Sequence, residues 1–134
     1  MGATVRTVYG FLLVFAGAGM GGALRHSFNL VSARFFGPDL PLSTLAVNVL
    51  GSFSIGCIGG YFAVRGHGSQ SLQLFLTTGI LGGFTTFSAF SLEAALLWER
   101  GQVTNFVVFV LASVMLSIGG VFAGLALVRS WHLT

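Results

Sequence analysis

The most regular feature of the sequence is a set of four long stretches without a charged side chain. Their lengths are 18, 25, 27 and 28 residues, and they cover positions 7–24, 40–64, 66–92 and 101–128. About 20 residues of apolar helix cross the hydrocarbon core of a membrane. The pattern therefore predicts four membrane-spanning helices. Their expected bounds are about residues 9–30, 42–64, 72–98 and 103–128.

Turn-forming residues separate these spans. Both prolines, Pro38 and Pro41, lie before the second span, and glycine and serine dominate residues 66–71 before the third. Gly101 follows the charged pair that ends the third span. Connections this short leave no room for a second domain, so the sequence predicts one all-helical integral membrane unit over residues 1–134.

Composition supports this fold class and excludes several functions. Hydrophobic residues make up 54% and charged residues 7% of the chain, whereas a soluble domain is about a quarter charged. The six arginines are scattered, so they form no basic stripe for nucleic acid. Cys57 is the single cysteine, which excludes an intrachain disulfide. The three acidic residues form no close pair for acid and base catalysis. The histidines lie in loops or near span ends, at His26, His67 and His132. Both observations argue against an enzyme.

The arginines show no preference for either side of the membrane. Three would lie on each side: Arg6, Arg65 and Arg129 on one, Arg25, Arg34 and Arg100 on the other. An excess of positive charge on the cytoplasmic side normally orients a membrane protein. A chain without that excess can insert either way up, and two oppositely inserted copies would form an antiparallel, dual-topology homodimer with inverted-repeat symmetry.

Glycines spaced four apart occur in every span. Such pairs allow helix backbones to approach closely, and ordinary packing is the simpler interpretation for all of them except the third. The pairs are Gly17 and Gly21, Gly56 and Gly60, Gly79 and Gly83, and Gly120 and Gly124.

The third segment combines glycines with hydroxyls in a way that predicts a broken helix. Gly82 and Gly83 each lower helix stability by about 1 kcal/mol relative to alanine, and the neighbouring Thr85 and Thr86 offer the backbone other partners. Irregular backbone at membrane depth persists only where protein buries it or where it lines a polar cavity. The segment is therefore the expected functional site.

Beyond the break, Phe87, Phe90, Ser91 and Ala94 fall on one helical face. Phenyl ring edges carry partial positive charge, so rings interleaved with hydroxyls suit a small dehydrated anion. Core or lipid-facing phenylalanine is the ordinary interpretation for any one of the 14 in the chain.

Polar residues on other spans extend this hypothesis. Asn48, with Thr44 and Ser52 on its face, is expected either to line a polar track or to make an interhelical hydrogen bond. Ser113 and Ser117 share a face of the fourth span with Phe109, although serines in such helices more often bond their own backbone.

Two ionisable residues lie close to the spans. Arg25 is expected near the end of the first helix, where it could snorkel to the interface. Glu93 lies three residues past Phe90, and a carboxylate beside an anion path would have to be hydrogen-bonded or paired.

These features together resemble the Fluc (CrcB) family of fluoride channels. The resemblance covers the whole chain in length, span number and motif order. Its most specific element is the run at residues 82–93, and it also includes Asn48 in the second span and Arg25 in the first.

The resemblance implies a channel in the cell membrane that lets fluoride leave the cytoplasm through two pores of an antiparallel homodimer. It implies a structural sodium ion at the dimer centre, held by the backbone carbonyls of Gly82 and Thr85. The residues it assigns to the fluoride pathway are Asn48, Thr86, Phe87, Phe90, Ser91, Ser113, Arg25 and Glu93.

Three positions depart from the family pattern. Ala89 replaces a common threonine, Phe84 a usual leucine, and Phe109 aligns with a tyrosine of some relatives. One hydroxyl of the polar track is therefore missing, and conductance is expected to differ.

Two alternatives remain at this stage. A small dual-topology, proton-coupled multidrug exporter also has four spans, but it needs a titratable carboxylate, for which Glu93 is the candidate. A non-transporting assembly subunit would use the glycines and Asn48 for packing alone.

Overall fold

The computed structural model describes residues 2–66 and 68–131, which form helices joined by short connections. The helices are α1 (Ala3–Phe36), α2 (Leu42–Arg65), α3 (Gln70–Leu74), α4 (Gly82–Phe84), α5 (Phe87–Glu99) and α6 (Val103–Trp131). A π-helical stretch, Phe75–Leu81, joins α3 to α4. The stretches long and apolar enough to cross a membrane are Ala3–Phe36, Leu42–Arg65, Gln70–Glu99 and Val103–Trp131. The four predicted spans are confirmed, while His67 and His132 lie outside the described residues.

Glycines in the left-handed region end three of the spans. The φ angles are 75° at Gly37, 64° at Gly66 and 73° at Gly101. Side chains with a Cβ rarely adopt such angles, so each glycine stops its helix. Helix α1 is six residues longer at each end than its apolar stretch predicts, and its C-terminal extension continues until Gly37.

The bundle consists of two closely packed pairs of helices. Helix α2 packs along α6, and α1 packs along the π-helical stretch and α4. A Cβ on Gly124 would meet the Cys57 nitrogen at 2.7 Å, and one on Gly17 would meet the Gly79 Cα at 2.8 Å. Close approach at the predicted glycine pairs is therefore observed in both helix pairs.

The interior is small, and many large apolar side chains point outward. A cluster of Ala94, Leu97 and Phe109 holds α5 against α6. In contrast, Phe15 is 81% exposed and Phe122 is 68% exposed. Such a surface is stable against lipid but not against water, so the chain is a multi-pass membrane protein.

Candidate functional site

The third span is interrupted at Thr85 and Thr86, where the backbone is extended. The φ and ψ angles are −81° and 160° at Thr85, and −155° and 116° at Thr86. Helix α4 ends at Phe84 and α5 begins at Phe87. The predicted break in the third segment is confirmed, and it lies just after the adjacent glycines. We call Thr85 and Thr86 the break.

Side-chain hydroxyls explain why the helix stops here. The Thr85 nitrogen and its Oγ1 both donate to the Leu81 carbonyl at 2.9 Å. The Thr86 Oγ1 accepts from the Ala89 nitrogen at 3.1 Å and so caps α5. Gly83 remains helical, and a Cβ there would collide with the Ala18 backbone of α1. The threonines thus set the break, whereas Gly83 allows close packing.

Asn48 of α2 holds the break with both atoms of its amide. Its Nδ2 donates to the Thr86 carbonyl at 3.0 Å, and its Oδ1 accepts from the Thr86 nitrogen at 2.8 Å. In a continuous helix the Thr86 N–H would bond to the carbonyl four residues earlier, at Gly82. Because that N–H turns to Asn48, the Gly82 carbonyl loses its helical partner.

Arg25 of α1 reaches the same segment from the other side. Its Nη1 donates to the Thr85 carbonyl at 3.4 Å. The side chain is half-buried and lies well inside α1, which continues to Phe36. The expected position near the end of its helix is therefore wrong, because α1 is longer than its apolar stretch.

The break contains carbonyl oxygens that suit a small cation. The Gly82 carbonyl lacks the Thr86 N–H, and the Thr85 carbonyl has a second lone pair besides the one facing Arg25. Hard cations such as sodium favour oxygen ligands of this kind. The residues fit the expected sodium ligands chemically, although the Arg25 charge next to Thr85 opposes a cation there.

Three phenyl rings follow one another from the break into the bundle. The ring centroids of Phe87 and Phe90 are 5.3 Å apart, and those of Phe90 and Phe109 are 5.4 Å apart. The planes are tilted by 51° and 45°. Phe109 is buried, whereas Phe87 is 78% exposed. The rings thus connect the surface of this chain with its core.

A cleft of about 470 Å³ lies between α2, the interrupted span and α6. It is an open groove along one side of the chain and joins residues from three spans. The predicted pathway residues that line it are Asn48, Thr86, Phe87, Phe90 and Ser113, together with both proposed sodium ligands, Gly82 and Thr85. Ser91, Arg25 and Glu93 are not among the lining residues of this cleft.

Two serines expected in the pathway behave differently. The Ser113 Oγ is buried and has no hydrogen-bond partner among the described residues. The expectation that such serines bond their own backbone is therefore wrong for Ser113. In contrast, the Ser91 Oγ donates to the Phe87 carbonyl at 2.9 Å. Ser113 thus offers the cleft an uncommitted hydroxyl.

Glu93 lies in a separate cavity of about 240 Å³ with Asp39 and Arg100. Thr44 lies within hydrogen-bonding reach of the Glu93 carboxylate. However, Oε2 is buried without a partner among the described residues. The expected hydrogen bond or ion pair is therefore missing at Oε2 within the described part of the chain.

Sequence reasoning did not single out Thr77, which also lines the cleft. Thr77 lies in the π-helical stretch, whose i to i+5 hydrogen bonds shift side chains away from the 3.6-residue period. Helical spacing therefore gave no signal for it. The hydroxyl itself, within an apolar segment, was the one available clue.

Comparison with known proteins agrees with this architecture. Residues 12–125 match the family described as CrcB-like protein, Camphor Resistance (CrcB). A protein of Rhodopseudomonas palustris (strain BisB5) named fluoride-specific ion channel FluC is 57% identical over 120 residues, covering 90% of this chain and 97% of the relative.

Two further relatives carry the same kind of name. The fluoride-specific ion channel FluC 2 of Nitrobacter hamburgensis is 52% identical over 92% of this chain and 98% of its own length. The FluC protein of Methylobacterium nodulans is 55% identical over 90% of this chain and 96% of its own length. These relatives are named as ion channels, which are not enzymes. The chain belongs to the CrcB family.

Proposed function

We propose that this chain forms a fluoride-selective channel in the cell membrane, through which cytoplasmic fluoride leaves passively. The observation that carries the proposal is the cleft beside the break, where an amide, phenyl rings and an uncommitted buried hydroxyl meet at membrane depth. The names of the relatives agree with it.

The chemistry of the cleft suits an anion that has lost its water. A dehydrated ion needs replacement donors, and the Ser113 hydroxyl is buried with no other partner among the residues that the structure describes. The Phe87 and Phe90 edges add partial positive charge along the path itself. Chloride is larger and would fit a narrow path between rings poorly.

The active form in this proposal is an antiparallel homodimer. Phe87 is 78% exposed in one copy, and the cleft is open along one side. A second copy could cover both, which would convert an open groove into an enclosed path. The arginines near the helix ends are almost evenly divided, with Arg6, Arg65 and Arg129 on one side and Arg34 and Arg100 on the other, which supports opposite insertion of the two copies.

A structural sodium ion at the dimer centre is part of the same proposal. The Gly82 and Thr85 carbonyls of both copies would hold it, and it would supply a fixed positive charge. Because oxygen ligands from both copies surround it, we expect sodium to stay in place. Radiolabelled sodium should not move through proteoliposomes at the rate of fluoride, and equal rates would contradict a structural role.

The decisive experiment is ion efflux from proteoliposomes that contain the purified full-length chain. We expect rapid fluoride efflux at an ion-selective electrode and chloride efflux at the rate of empty liposomes. Comparable rates for both ions would overturn the selectivity, and no efflux of either ion would favour a packing role. Proton-coupled export of a lipophilic cation that Glu93→Gln abolishes would instead support a multidrug exporter.

A further inference from the structure

A cavity outside the site described above, lined by both polar and apolar residues, lies between the start of α1 and the start of the third span. It has a volume of about 650 Å³. Arg6 is the charged side chain that lines it, and Gln70, Gln73, Ser71 and Thr78 add amides and hydroxyls. We call it the entry cavity. No carboxylate among the described residues lines it.

The entry cavity and the central cleft share a lining residue. Thr77 lines both spaces. Gln70 and Thr77 are seven positions apart, which corresponds to about 10 Å along a helix. The lining of the cavity therefore runs from Arg6, at the end of the span, to Thr77, which also lines the cleft.

The chemistry of this route suits an anion that still carries water. Amides and hydroxyls can exchange hydrogen bonds with a hydration shell, and a guanidinium attracts the negative charge. Arg6 is exposed, so its charge reaches the cavity through water rather than through protein. A bound anion is not required, because a local positive potential alone raises the anion concentration at the mouth.

We infer that the entry cavity is an electrostatic vestibule, in which Arg6 concentrates fluoride before it reaches the cleft. The inference rests on the proposed fluoride channel and names Arg6 as a residue that sets the entry rate. The simpler interpretation is that Arg6 only anchors α1 at the membrane surface. The two differ in salt dependence, because screening weakens attraction through water but leaves an anchor intact.

The first test measures fluoride efflux from proteoliposomes, at subsaturating fluoride, for the wild-type chain, Arg6→Gln and Arg6→Glu. A unit charge about 7 Å away in water changes the local anion concentration roughly threefold. At low ionic strength we expect Arg6→Gln to lower the rate about two- to threefold and Arg6→Glu to lower it further. In about 1 M impermeant salt, where the Debye length is about 3 Å, the three rates should converge.

Arg65→Gln is the matched control. Arg65 ends α2 on the same side of the membrane as Arg6, but it lines a different groove and lies over the Tyr61 ring, 5.0 Å from its centroid. Its loss removes the same charge and should leave the fluoride rate unchanged. An equal fall for Arg65→Gln and Arg6→Gln would overturn the assignment to this cavity.

A second test changes the charge after the protein has folded. Arg6→Cys is combined with Cys57→Ser, which removes the single native cysteine. A positively charged thiol reagent should raise the efflux rate at low salt, and a negatively charged reagent of similar size should lower it. The inference would be overturned if both reagents changed the efflux rate equally, or if the decrease in efflux rate persisted in 1 M salt.

The outcomes also separate this inference from the proposed function. Normal fluoride efflux with identical salt profiles for wild type and the Arg6 variants would overturn the vestibule alone. No fluoride efflux from the wild-type protein would overturn the channel and the vestibule together.

Discussion

Two glycine-rich contacts hold the bundle together, and only one of them includes the break. Between α2 and α6, Gly56 packs against the Val121 carbonyl and Gly124 against the Phe53 carbonyl, and both helices remain regular. Between α1 and the third span, Gly17 and Gly21 approach the backbone just as closely. Yet there the partner helix has a π-helical stretch and then stops.

The difference lies in the polar groups that compete for the backbone. Thr85 and Thr86 offer hydroxyls to the helix ends, and Asn48 takes the Thr86 N–H and carbonyl from the helix. Residues 53–60 and 120–124 of the other contact include one hydroxyl, Ser54, and it donates to the Leu50 carbonyl of its own helix. Glycine therefore sets how closely helices approach, and competing side chains set where one breaks.

The largest effect is expected from a substitution that prevents the α1 contact. In Gly21→Ala, the new Cβ would collide with the Ile80 carbonyl and lie 2.8 Å from the Phe84 nitrogen. We expect a loss of about 3 kcal/mol in stability, because backbone atoms must move. Thermal melting of the detergent-solubilised protein measures it.

Gly22→Ala is the control for this prediction. Its added Cβ would have no heavy atom within 4 Å outside its own helix among the described residues. Replacing a helical glycine by alanine there should maintain or raise stability. Equal melting temperatures for the two variants would contradict the packing role of Gly21.

The second-largest effect is expected from removing the Asn48 amide, which bonds to the backbone of the break. Asn48→Leu leaves the Thr86 N–H and carbonyl unpaired, at a cost of about 1–3 kcal/mol for each group. We expect fluoride efflux to fall at least about tenfold. Asn105→Leu is the control, because Asn105 donates to the exposed Gln102 side chain. Wild-type efflux from Asn48→Leu would show that the break does not need this amide.

The phenyl rings should affect transport more than assembly. Phe90→Ile removes contacts with both Phe87 and Phe109, whereas Phe87→Ile removes one. We expect both to lower fluoride efflux several-fold, Phe90→Ile more strongly, with an unchanged elution volume in size-exclusion chromatography. Phe122→Ile, on the exposed side of α6, is the control. Undiminished fluoride efflux in both variants would show that the rings are not part of the fluoride pathway.

The smallest effect is expected at the uncommitted hydroxyl. Ser113→Ala removes a buried donor that has no partner in the described part of the chain, so stability should stay equal or rise slightly. Loss of one hydrogen bond to the ion, worth about 1 kcal/mol, should lower fluoride efflux about fivefold. Ser54→Ala is the control, since its hydroxyl bonds its own helix. A lower melting temperature with unchanged efflux would indicate a structural role for Ser113.

Much of the fold was predictable because it depends on local properties of the chain. Four uncharged stretches predict four spans, and glycines next to threonines predict an interruption in the third. The position of the break was less accessible, since Gly83 is needed for the Ala18 contact and stays helical. That contact joins residues far apart in sequence.

The candidate site was predictable in part. Asn48, Phe87, Phe90 and Ser113 do line one cleft, yet their roles as an ion pathway stay predictions. Glu93 was expected close to the Phe90 face, but the structure assigns it to another cavity. The direction of a side chain depends on which helices pack against it, and helical spacing alone does not contain that information.

The sequence by itself determined that this chain spans a membrane four times and that the helix of its third span is easily interrupted. Both follow from the free energy of transferring side chains into hydrocarbon and from local competition for backbone hydrogen bonds. The tertiary structure decided that Asn48 and Arg25 meet at Thr85 and Thr86, and that the Ser113 hydroxyl has no hydrogen-bond partner within residues 2–66 and 68–131. Those outcomes require α1, α2 and α6 to converge on the break, which depends on contacts between distant parts of the chain.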